Sequence, residues 1–476
     1  MRVCLICEGC YPYIPGGVSS WVQMLCTQFS DVEFVIWSIA TNREEMSEVC
    51  YEMPENIKEL RTFYLGEVAL NKKYRSVQMT AEDHQVLKAL VAGKPEEIDW
   101  KRTLEFVKQY RTRLEDILMG EDFYQICLEE YDRRKSKKVF FQFLWNFRNM
   151  YFPLMNILSD EIPQADVYHS LSTGYAGILG SCVSYAMQRP FLLTEHGIYT
   201  REREEDIIRA QWVEEDFKEI WIDFFKKMSL IAYQQATVVT SLFQVNKTLQ
   251  VELGCPEEKI RIIPNGVSVE SFGELAAKRT GDPARFNIGA VLRVVPIKDV
   301  KTMILAFADV KDRVPAARLY IMGNCGENPE YYQECEELVQ ALDVQDVSFL
   351  GQVNVMEHLA DMDLLLLSSI SEGQPLAILE GMAAGLPFVA TNVGDCRGLL
   401  EGENGEDPAG LIVPVMDSAA MADAIVYCYT HPKERLKMGQ AGRRRVCERY
   451  RKEFFLKEYR ALYNQLGEEQ HGGNRV

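Results

Sequence analysis

The chain alternates short apolar runs with longer segments whose apolar residues recur every three or four positions. The runs predict β-strands and the longer spacing predicts helices. A first series of predicted strands comprises Arg2–Cys7, Val32–Ile39, Asp166–Leu171, Pro190–Glu195, Ala236–Thr240 and Arg261–Pro264. A second comprises Asn287–Leu292, Arg318–Met322, Val347–Leu350, Asp363–Ser368, Phe388–Thr391 and Gly410–Pro414. Because helical patterns fall between most strands, each series predicts a doubly wound parallel sheet, and the fold class is α/β.

The two series predict two Rossmann-like domains. Residues 1–275 form the first, with a helical insertion at about 78–160 where long charged segments contain few glycines. Residues 276–445 form the second, and the polar stretch Glu270–Arg285 is the predicted linker. Residues 446–476 are expected to form a helix, part of a predicted helix Lys433–Gln465, that packs back on the first domain, followed by a tail. Such domains bind ligands at the carboxyl ends of their strands, so we expect the chemistry in a cleft between them.

Charge and composition narrow the class of ligand. The 476 residues include 52 Lys and Arg against 70 Asp and Glu, a net charge of −18, which disfavours nucleic-acid binding. An anionic ligand must therefore be held by a few local cations and backbone N–H groups. Met1–Cys7 shows no apolar core of a signal peptide, and the polar residues of Ser170–Gln188 favour a buried helix over a membrane span. Thirteen cysteines without an export signal suggest reduced thiols. We therefore expect a cytoplasmic protein, which would be at most peripheral at the inner face of the membrane.

The strongest chemical signal follows the strand Asp363–Ser368. Glu372 is expected in a loop and Glu380 about one and a half turns into a helix that starts near Pro375. The free N–H groups of that helix start suit a diphosphate, and each carboxylate suits paired sugar hydroxyls. The alternative is an ordinary helix with one acidic residue near its start. The candidate binding residues here are Glu372, Gly373, Gln374, Pro375, Leu376 and Glu380.

Arg293 and Lys298 come just after the first strand of the second series and strengthen this prediction. Arginine can grip phosphate oxygens with two N–H groups and lysine adds a compact charge. Both would offset charge on a departing diphosphate without a metal ion. The alternative is a pair of solvated surface cations, against which stand the strand-end position and the acidity of the chain.

In the first domain the candidates also follow strands. Gly16 and Gly17 precede a helix and allow close approach of the backbone to a ligand, although the dinucleotide-binding glycine pattern is incomplete. His196 follows the strand Pro190–Glu195, where a sugar contact or proton relay competes with a structural role. His169 ends another strand and is a weaker candidate.

Two motifs imitate metal sites. Cys4, Cys7 and Cys10 have iron–sulfur spacing, but a fourth ligand is missing and the first two cysteines lie on opposite faces of a buried strand. Asp361 and Asp363 precede an apolar strand and are expected to cap local structure. We therefore expect neither a metal nor another cofactor.

One segment of the insertion has two interpretations. Five basic residues lie within Arg133–Lys138, and Phe140–Leu158 carries six Phe or Tyr residues and one Trp. This combination could dock on a membrane surface or a partner protein. The alternative is core packing beside a solvated basic flank.

Taken in order, these motifs resemble those of retaining GT-B glycosyltransferases of family GT4. The resemblance covers the Gly-Gly-Val loop, Thr-Glu-His-Gly, Pro-Asn-Gly-Val, Arg293 with Lys298, and the two glutamates eight positions apart. The opening segment, from Cys7 to Trp21, and the insertion resemble the PelF-type enzymes of Pel exopolysaccharide synthesis.

The resemblance implies a UDP-sugar donor, most simply UDP-glucose, a glycan acceptor and retention of anomeric configuration, with a membrane-embedded polysaccharide synthase as a potential partner. The resemblance also implies roles for particular residues. Arg293 and Lys298 would hold the diphosphate, Glu380 the ribose, and Glu372 and His196 the hexose. Gly17 would approach the phosphates or the acceptor, and the backbone from Gly351 to Val353 would face the nucleobase. A GT-B UDP-sugar epimerase and a catalytically silent scaffold subunit are the alternatives.

Overall fold

The computed structural model describes residues 1–43, 48–65, 74–136, 138–276, 285–402 and 405–472. The chain divides into two compact units. Unit 1 comprises Met1–Ile262 and the segment that begins at Arg460, and unit 2 comprises Ile263–Tyr459. The domain boundaries predicted from the sequence, after residues 275 and 445, fall inside helices of unit 2.

Unit 1 is built on a seven-stranded parallel sheet in the order β3-β2-β1-β4-β5-β6-β7. Its strands are β1 Arg2–Glu8, β2 Glu33–Ala40, β3 Ile57–Tyr64, β4 Val167–Ser170, β5 Phe191–Glu195, β6 Val238–Ser241 and β7 Ile260–Ile262. The central strands β4 and β5 are buried along their whole length, as expected for parallel strands covered on both faces.

The helices of unit 1 include the predicted insertion, which lies between β3 and β4. Its members are α2 Ala81–Ala92, α3 Trp100–Gln109, α4 Leu114–Leu118, α5 Glu121–Arg133 and α6 Phe140–Leu158. The other helices that accompany the sheet are α1 Gly17–Gln28, α7 Tyr175–Met187, α8 Tyr199–Arg209, α9 Lys218–Gln235 and α10 Gln244–Glu252. Large fully buried side chains such as Trp100, Phe123 and Phe143 join the insertion to the core of this unit.

Unit 2 has a six-stranded parallel sheet in the order β10-β9-β8-β11-β12-β13. Its strands are β8 Phe286–Val291, β9 Ala317–Met322, β10 Val347–Gly351, β11 Leu364–Leu367, β12 Phe388–Thr391 and β13 Gly410–Val413. Its helices are α11 Val269–Ala276, α12 Val300–Arg313, α13 Pro329–Ala341, α14 Val355–Leu359, α15 Leu376–Ala383, α16 Cys396–Glu401, α17 Ser418–Thr430 and α18 Pro432–Arg449, followed by α19 Lys452–Gly472, whose second half belongs to unit 1. The prediction of two doubly wound α/β sheets is confirmed.

In both sheets the strand order reverses at one place, between β1 and β4 in unit 1 and between β8 and β11 in unit 2. The loops that leave the carboxyl ends of these neighbouring strands diverge to opposite faces of the sheet. The crevice that results is the usual ligand site of an open α/β sheet. The fold therefore directs attention to the residues that follow β8 and β11 and to those that follow β1 and β4.

Two predicted elements differ from the structure. The single helix predicted over Lys433–Gln465 is two helices, because Val267 runs beside the chain at Arg451 and exchanges backbone hydrogen bonds with Tyr450 and Lys452. The predicted linker begins as helix α11, and its residues 277–284 lie outside the described part of the chain.

The aromatic helix α6 lies mostly in the interior. Phe143, Phe147 and Tyr151 are at most 4% exposed, although Phe141 is 64% exposed. Arg133 and Arg134, at the end of α5, form ion pairs with Glu130 within the same unit. These contacts match the core-packing interpretation of this segment for the residues named. Lys137 of the basic run lies outside the described residues.

Among the described residues, no helix combines the length and the apolar character that crossing a bilayer requires. The uncharged stretch Ser170–Gln188 contains α7, in which the nine consecutive residues 175–183 are buried. This agrees with the prediction that the stretch is a buried helix rather than a membrane span.

Candidate functional site

The loops after β8 and β11 are tied together at the crevice of unit 2. The backbone N–H of Ile370 donates to the carbonyl of Ile297 at 2.9 Å, and the Ser368 hydroxyl donates to the carbonyl of Lys298 at 2.8 Å. These bonds join two segments that are about 70 residues apart in sequence. The backbone thereby holds Lys298 beside the loop that carries Glu372.

Lys298 and Glu372 form an ion pair in this crevice. The Nζ atom of Lys298 lies 2.5 Å from Oε1 of Glu372, and the same oxygen accepts from the Ser369 hydroxyl at 2.6 Å. The two charged side chains are only 17% and 11% exposed. The ammonium of Lys298 has three N–H donors and uses one on Glu372, so its remaining donors can serve an anionic ligand.

Helix α15 starts beside this pair without a side-chain cap. Pro375 is its N-cap residue, no side chain bonds to the free N–H groups, and no acidic residue lies in the first turn. Uncapped N–H groups and the positive end of the helix dipole attract an anion. The helix begins within one residue of the predicted start at Pro375.

The loop between Glu372 and α15 is held by a buried polar network that sequence reasoning did not identify. The side-chain oxygen of Gln374 accepts from the backbone N–H of Asn265 at 2.7 Å, and its amide donates to Asp395 at 2.7 Å. Asp395 follows β12, and burial raises its pKa to about 6. Gly394, with φ +51°, packs so closely on Glu372 and Gly373 that a Cβ would lie 2.2 Å from a carbonyl oxygen. The strand-end position of Asp395 is the signal that could have found it.

Glu380 is placed differently from Glu372. Its side chain is half-buried one turn into α15 and has no hydrogen-bond or ion-pair partner among the described residues. Burial raises the pKa of this carboxyl to about 7. A half-buried acid without a donor is a group that a ligand with hydroxyl donors can satisfy.

Arg293 does not join the Lys298–Glu372 pair. Its guanidinium lies 2.5 Å from Glu327, and both side chains are about 40% exposed. Glu327 belongs to the loop after β9. The backbone N–H of Val294 donates to the carbonyl of Asn324 in the same loop. An ion pair so exposed holds its partners weakly, so a ligand could compete for Arg293.

The segment predicted to face a nucleobase ends strand β10. Gly351 has φ +67°, and its carbonyl accepts from the N–H of Gly323 at 2.8 Å, which places it beside the end of β9. A Cβ at Gly351 would meet no atom within 4 Å. Val353 follows in the loop and is half-buried. The space beside Gly351 is therefore open on the side where its side chain would be.

In unit 1, Gly16 and Gly17 mark the start of α1. Gly16 is the N-cap residue, no side chain caps the helix, and the N–H of Gly16 donates to the Tyr51 hydroxyl at 3.3 Å. A Cβ at Gly16 would meet no atom within 4 Å, and its φ of 167° suits any residue. Local packing thus does not require glycine at position 16.

His196 and His169 have different surroundings. His196 packs edge-on against Trp21 at 5.0 Å, its buried Nε2 has no hydrogen-bond partner among the described residues, and burial lowers its pKa to about 4. Both ring nitrogens of the fully buried His169 are occupied, by Tyr463 at 2.7 Å and Thr194 at 2.8 Å. Both ring nitrogens of His169 are thus used within the protein, whereas Nε2 of His196 has no such partner among the described residues.

Two acidic residues of unit 1 were absent from the predicted site. Glu195 ends β5, is 1% exposed, and accepts from the hydroxyl of Tyr233 at 2.5 Å and the amide of Gln250 at 2.9 Å. Glu8 ends β1 and accepts from the N–H of Ala176 at 3.0 Å and the hydroxyl of Tyr199 at 2.9 Å. Glu8 thus satisfies the start of α7 from the neighbouring strand. The strand-end position was the available signal for both.

The two metal-like motifs have ordinary environments. Cys4 is buried in β1, where burial raises the pKa of its thiol. Asp363 accepts from the backbone N–H of Asn287 at 3.0 Å. Within the part of the chain that the structure describes, no group of three or more His, Cys, Asp or Glu side chains is arranged to hold a metal ion.

Two family models match this chain. Residues 1–258, more than half of the chain, match the family model described as Domain of unknown function (DUF3492). The chain belongs to this family. Residues 285–431, which include the Lys298–Glu372 pair, match the family model described as Glycosyl transferases group 1.

Curated relatives match over part of their length. The chain is 32% identical over 169 residues to N-acetyl-alpha-D-glucosaminyl L-malate synthase of Bacillus anthracis, covering 35% of this chain and 42% of that protein. It is 24% identical over 263 residues to the MMP alpha-(1->4)-mannosyltransferase of Mycolicibacterium hassiacum, covering 54% of this chain and 61% of that protein. The matches thus span less than two thirds of these relatives.

Solved structures identify the fold as GT-B. HepE of Anabaena, crystallised in complex with UDP, aligns with a TM-score of 0.61 and 14% identity over 98% of this chain and all of that chain. Sucrose-phosphate synthase of Thermosynechococcus elongatus aligns with a TM-score of 0.61 and 17% identity over 98% of each chain. At these identities the likeness concerns the fold.

Proposed function

We propose that this protein is a retaining glycosyltransferase of the GT4 type that transfers a hexosyl group from a UDP-sugar to a glycan acceptor. The observation that carries the proposal is the Lys298–Glu372 ion pair beside the uncapped start of α15, at the crevice of the group 1 unit. UDP-glucose is the first donor to test. The PelF-like opening segment supports a role in exopolysaccharide synthesis.

The donor would be held by groups with complementary charge. The free N–H donors of Lys298 and the start of α15 would bind the diphosphate, and Arg293 would join them by leaving Glu327. Glu380, which has no donor of its own among the described residues, would accept hydrogen bonds from the ribose hydroxyls. The open side of Gly351 would admit the nucleobase.

The reaction needs charge stabilisation at the leaving group. The acceptor oxygen would attack the anomeric carbon from the face that the diphosphate leaves, the bond to the diphosphate would break, and the hydroxyl proton would pass to a phosphate oxygen. Lys298 and the helix start would stabilise the charge on the departing UDP, so the step as written requires no metal ion. Glu372, oriented by Lys298 and Ser369, would accept a hydrogen bond from the transferred hexose.

Unit 1 would supply the acceptor side. Its candidate contacts are Gly17, at the uncapped start of α1, and His196, whose lowered pKa keeps the imidazole neutral at pH 7. We further propose that the enzyme acts in the cytoplasm, with a membrane-embedded polysaccharide synthase as its partner.

The test measures UDP release with a panel of UDP-hexoses and oligosaccharide acceptors. Lys298→Ala should lower kcat by about 10²- to 10³-fold, because it removes one cation that faces the leaving group. Glu372→Gln should lower turnover without loss of fold. Lys301→Ala is the matched control, since Lys301 lies three residues away, is 38% exposed and pairs with Glu334 on the surface.

Three outcomes would contradict the proposal. Unchanged turnover in both site variants would remove the site assignment. A C2-epimer formed without UDP release would identify a UDP-sugar epimerase. Absence of UDP-sugar binding by calorimetry would favour a silent scaffold subunit.

A further inference from the structure

A cavity of about 250 Å³ lies among the helices of unit 1, within the insertion and against α9. Its apolar wall includes Phe147, Tyr151 and Phe224, each at most 5% exposed. Its polar wall is formed by the charged side chains Glu130, Arg133, Arg134, Asp223 and Lys227. The cavity thus combines a surface for an apolar body with several charges.

Four of these charges compensate one another. Glu130, 3% exposed, accepts from Arg133 at 2.5 and 2.6 Å and from Arg134 at 2.6 Å. Arg134 also reaches Asp223 at 2.9 Å. The two arginines and the two acidic residues therefore pair with one another within the cavity wall.

Lys227 is the fifth charged side chain of the wall and takes no part in these ion pairs. Its Nζ donates to the neutral carbonyl of Leu90 at 2.8 Å, at the end of α2, and among the described residues no carboxylate lies within the 4.0 Å of an ion pair with it. Burial lowers the pKa of its ammonium to about 8. Lys227 is half-buried, so its ammonium loses part of its hydration, and a bound anion would offset that cost.

We propose that this cavity binds a small organic anion, with its oxyanion group on Lys227 and its apolar body against Phe147, Tyr151 and Phe224. Two N–H donors of Lys227 remain for the oxyanion. A carboxylate and a phosphate monoester share the required chemistry. The volume is slightly below the range of drug-sized pockets, so the ligand is small.

The proposed anion site also lies on helix α9, which contacts the end of strand β5 next to His196. Helix α9 carries Lys227 and, two residues and six residues later, Ser229 and Tyr233. The Ser229 hydroxyl lies 2.7 Å from that of Thr173, and Tyr233 donates to Glu195, the neighbour of His196 in sequence. An anion on Lys227 would therefore contact the same helix that hydrogen-bonds to the end of β5.

The test is calorimetric titration of the full chain with benzoate, with phenyl phosphate and with neutral benzamide. We expect saturable binding of one anion or both, no binding of benzamide, and at least tenfold weaker anion binding in Lys227→Met. Lys226→Met is the matched control, because Lys226 is adjacent, 46% exposed and paired with Glu204. The anion that binds more tightly identifies the oxyanion class.

The proposal is overturned if neither anion binds, if benzamide binds equally, or if Lys227→Met binds as the wild type does. Loss of binding in Lys298→Ala instead would assign the probe to unit 2 and would also overturn it. Acetylation footprinting of the wild-type chain provides a second measurement in case Lys227→Met does not fold. The anion should protect Lys227 and not Lys226, and equal labelling with and without anion contradicts the site.

Discussion

Glu195 in unit 1 and Glu380 in unit 2 are two carboxyl groups whose pKa burial raises to about 7. Glu195 has four donors, the side chains of Tyr233, Gln250 and Thr173 and the backbone N–H of Tyr199. Glu380 has none among the described residues. The same perturbed pKa therefore accompanies a satisfied structural group in one unit and an unsatisfied group in the other.

The difference shows which observation distinguishes a structural carboxyl group from one that is open to a ligand. Desolvation raises the pKa of any buried carboxyl, whatever its purpose. Buried carboxyls in stable proteins are normally hydrogen-bonded, as Glu195 is. The half-buried Glu380 has no partner among the described residues, so it is the carboxyl that is open to a ligand. In our proposal, hydroxyl groups of the ligand would bind Glu380, whereas the protein itself provides the donors for Glu195.

The largest expected effect comes from removing the satisfied carboxyl. Glu195→Ala leaves the buried donors of Tyr233 and Gln250 without their acceptor, so the free energy of unfolding should fall by about 3 kcal/mol or more. Denaturant unfolding measures this change. Glu205→Ala, at a 47% exposed position on α8, is the control and should change stability by less than about 1 kcal/mol. Equal stability of the two variants would contradict the structural role of the buried Glu195 carboxyl.

The next largest effect concerns the contribution of Glu380 to the pH dependence of stability. The pKa of each of the two carboxyls is raised from an ordinary 4.5 to about 7, so the folded state binds more protons and the free energy of unfolding falls as pH rises from 4.5 to 7. The loss is at most about 3 kcal/mol per group. Glu380→Gln should remove its share and raise stability at pH 8. Unfolding curves at several pH values measure this, and an unchanged slope would contradict the raised pKa of Glu380.

The smallest expected effect concerns nucleotide affinity. Glu380→Gln should weaken UDP binding about tenfold, because a neutral amide oxygen replaces the carboxylate as acceptor of the ribose hydroxyls. Glu401→Gln, at a 50% exposed position, should leave the affinity unchanged. Calorimetry measures both. If UDP binds equally to Glu380→Gln and to the wild type, the unsatisfied carboxyl is not the ribose acceptor.

Much of the fold follows from local patterns. The apolar runs predicted most strands of both sheets within a few residues, and the change to long charged segments predicted the insertion. A helix start at Pro375 was predicted because proline favours the first helical position, and in the structure Pro375 is the N-cap, one residue before the helix. The break at Arg451 was not predicted, because it depends on Val267, which is 184 residues earlier in the chain.

The sequence by itself determined which residues follow the strands, and therefore that Lys298, Glu372 and His196 are candidates. Only the tertiary structure decided which candidates are paired and which are free. Lys298 meets Glu372 across 74 positions, and His169 is occupied by Tyr463 across 294. The physical reason is that parallel strands place distant segments side by side, and hydrogen bonding at those positions depends on the register and packing of the whole sheet.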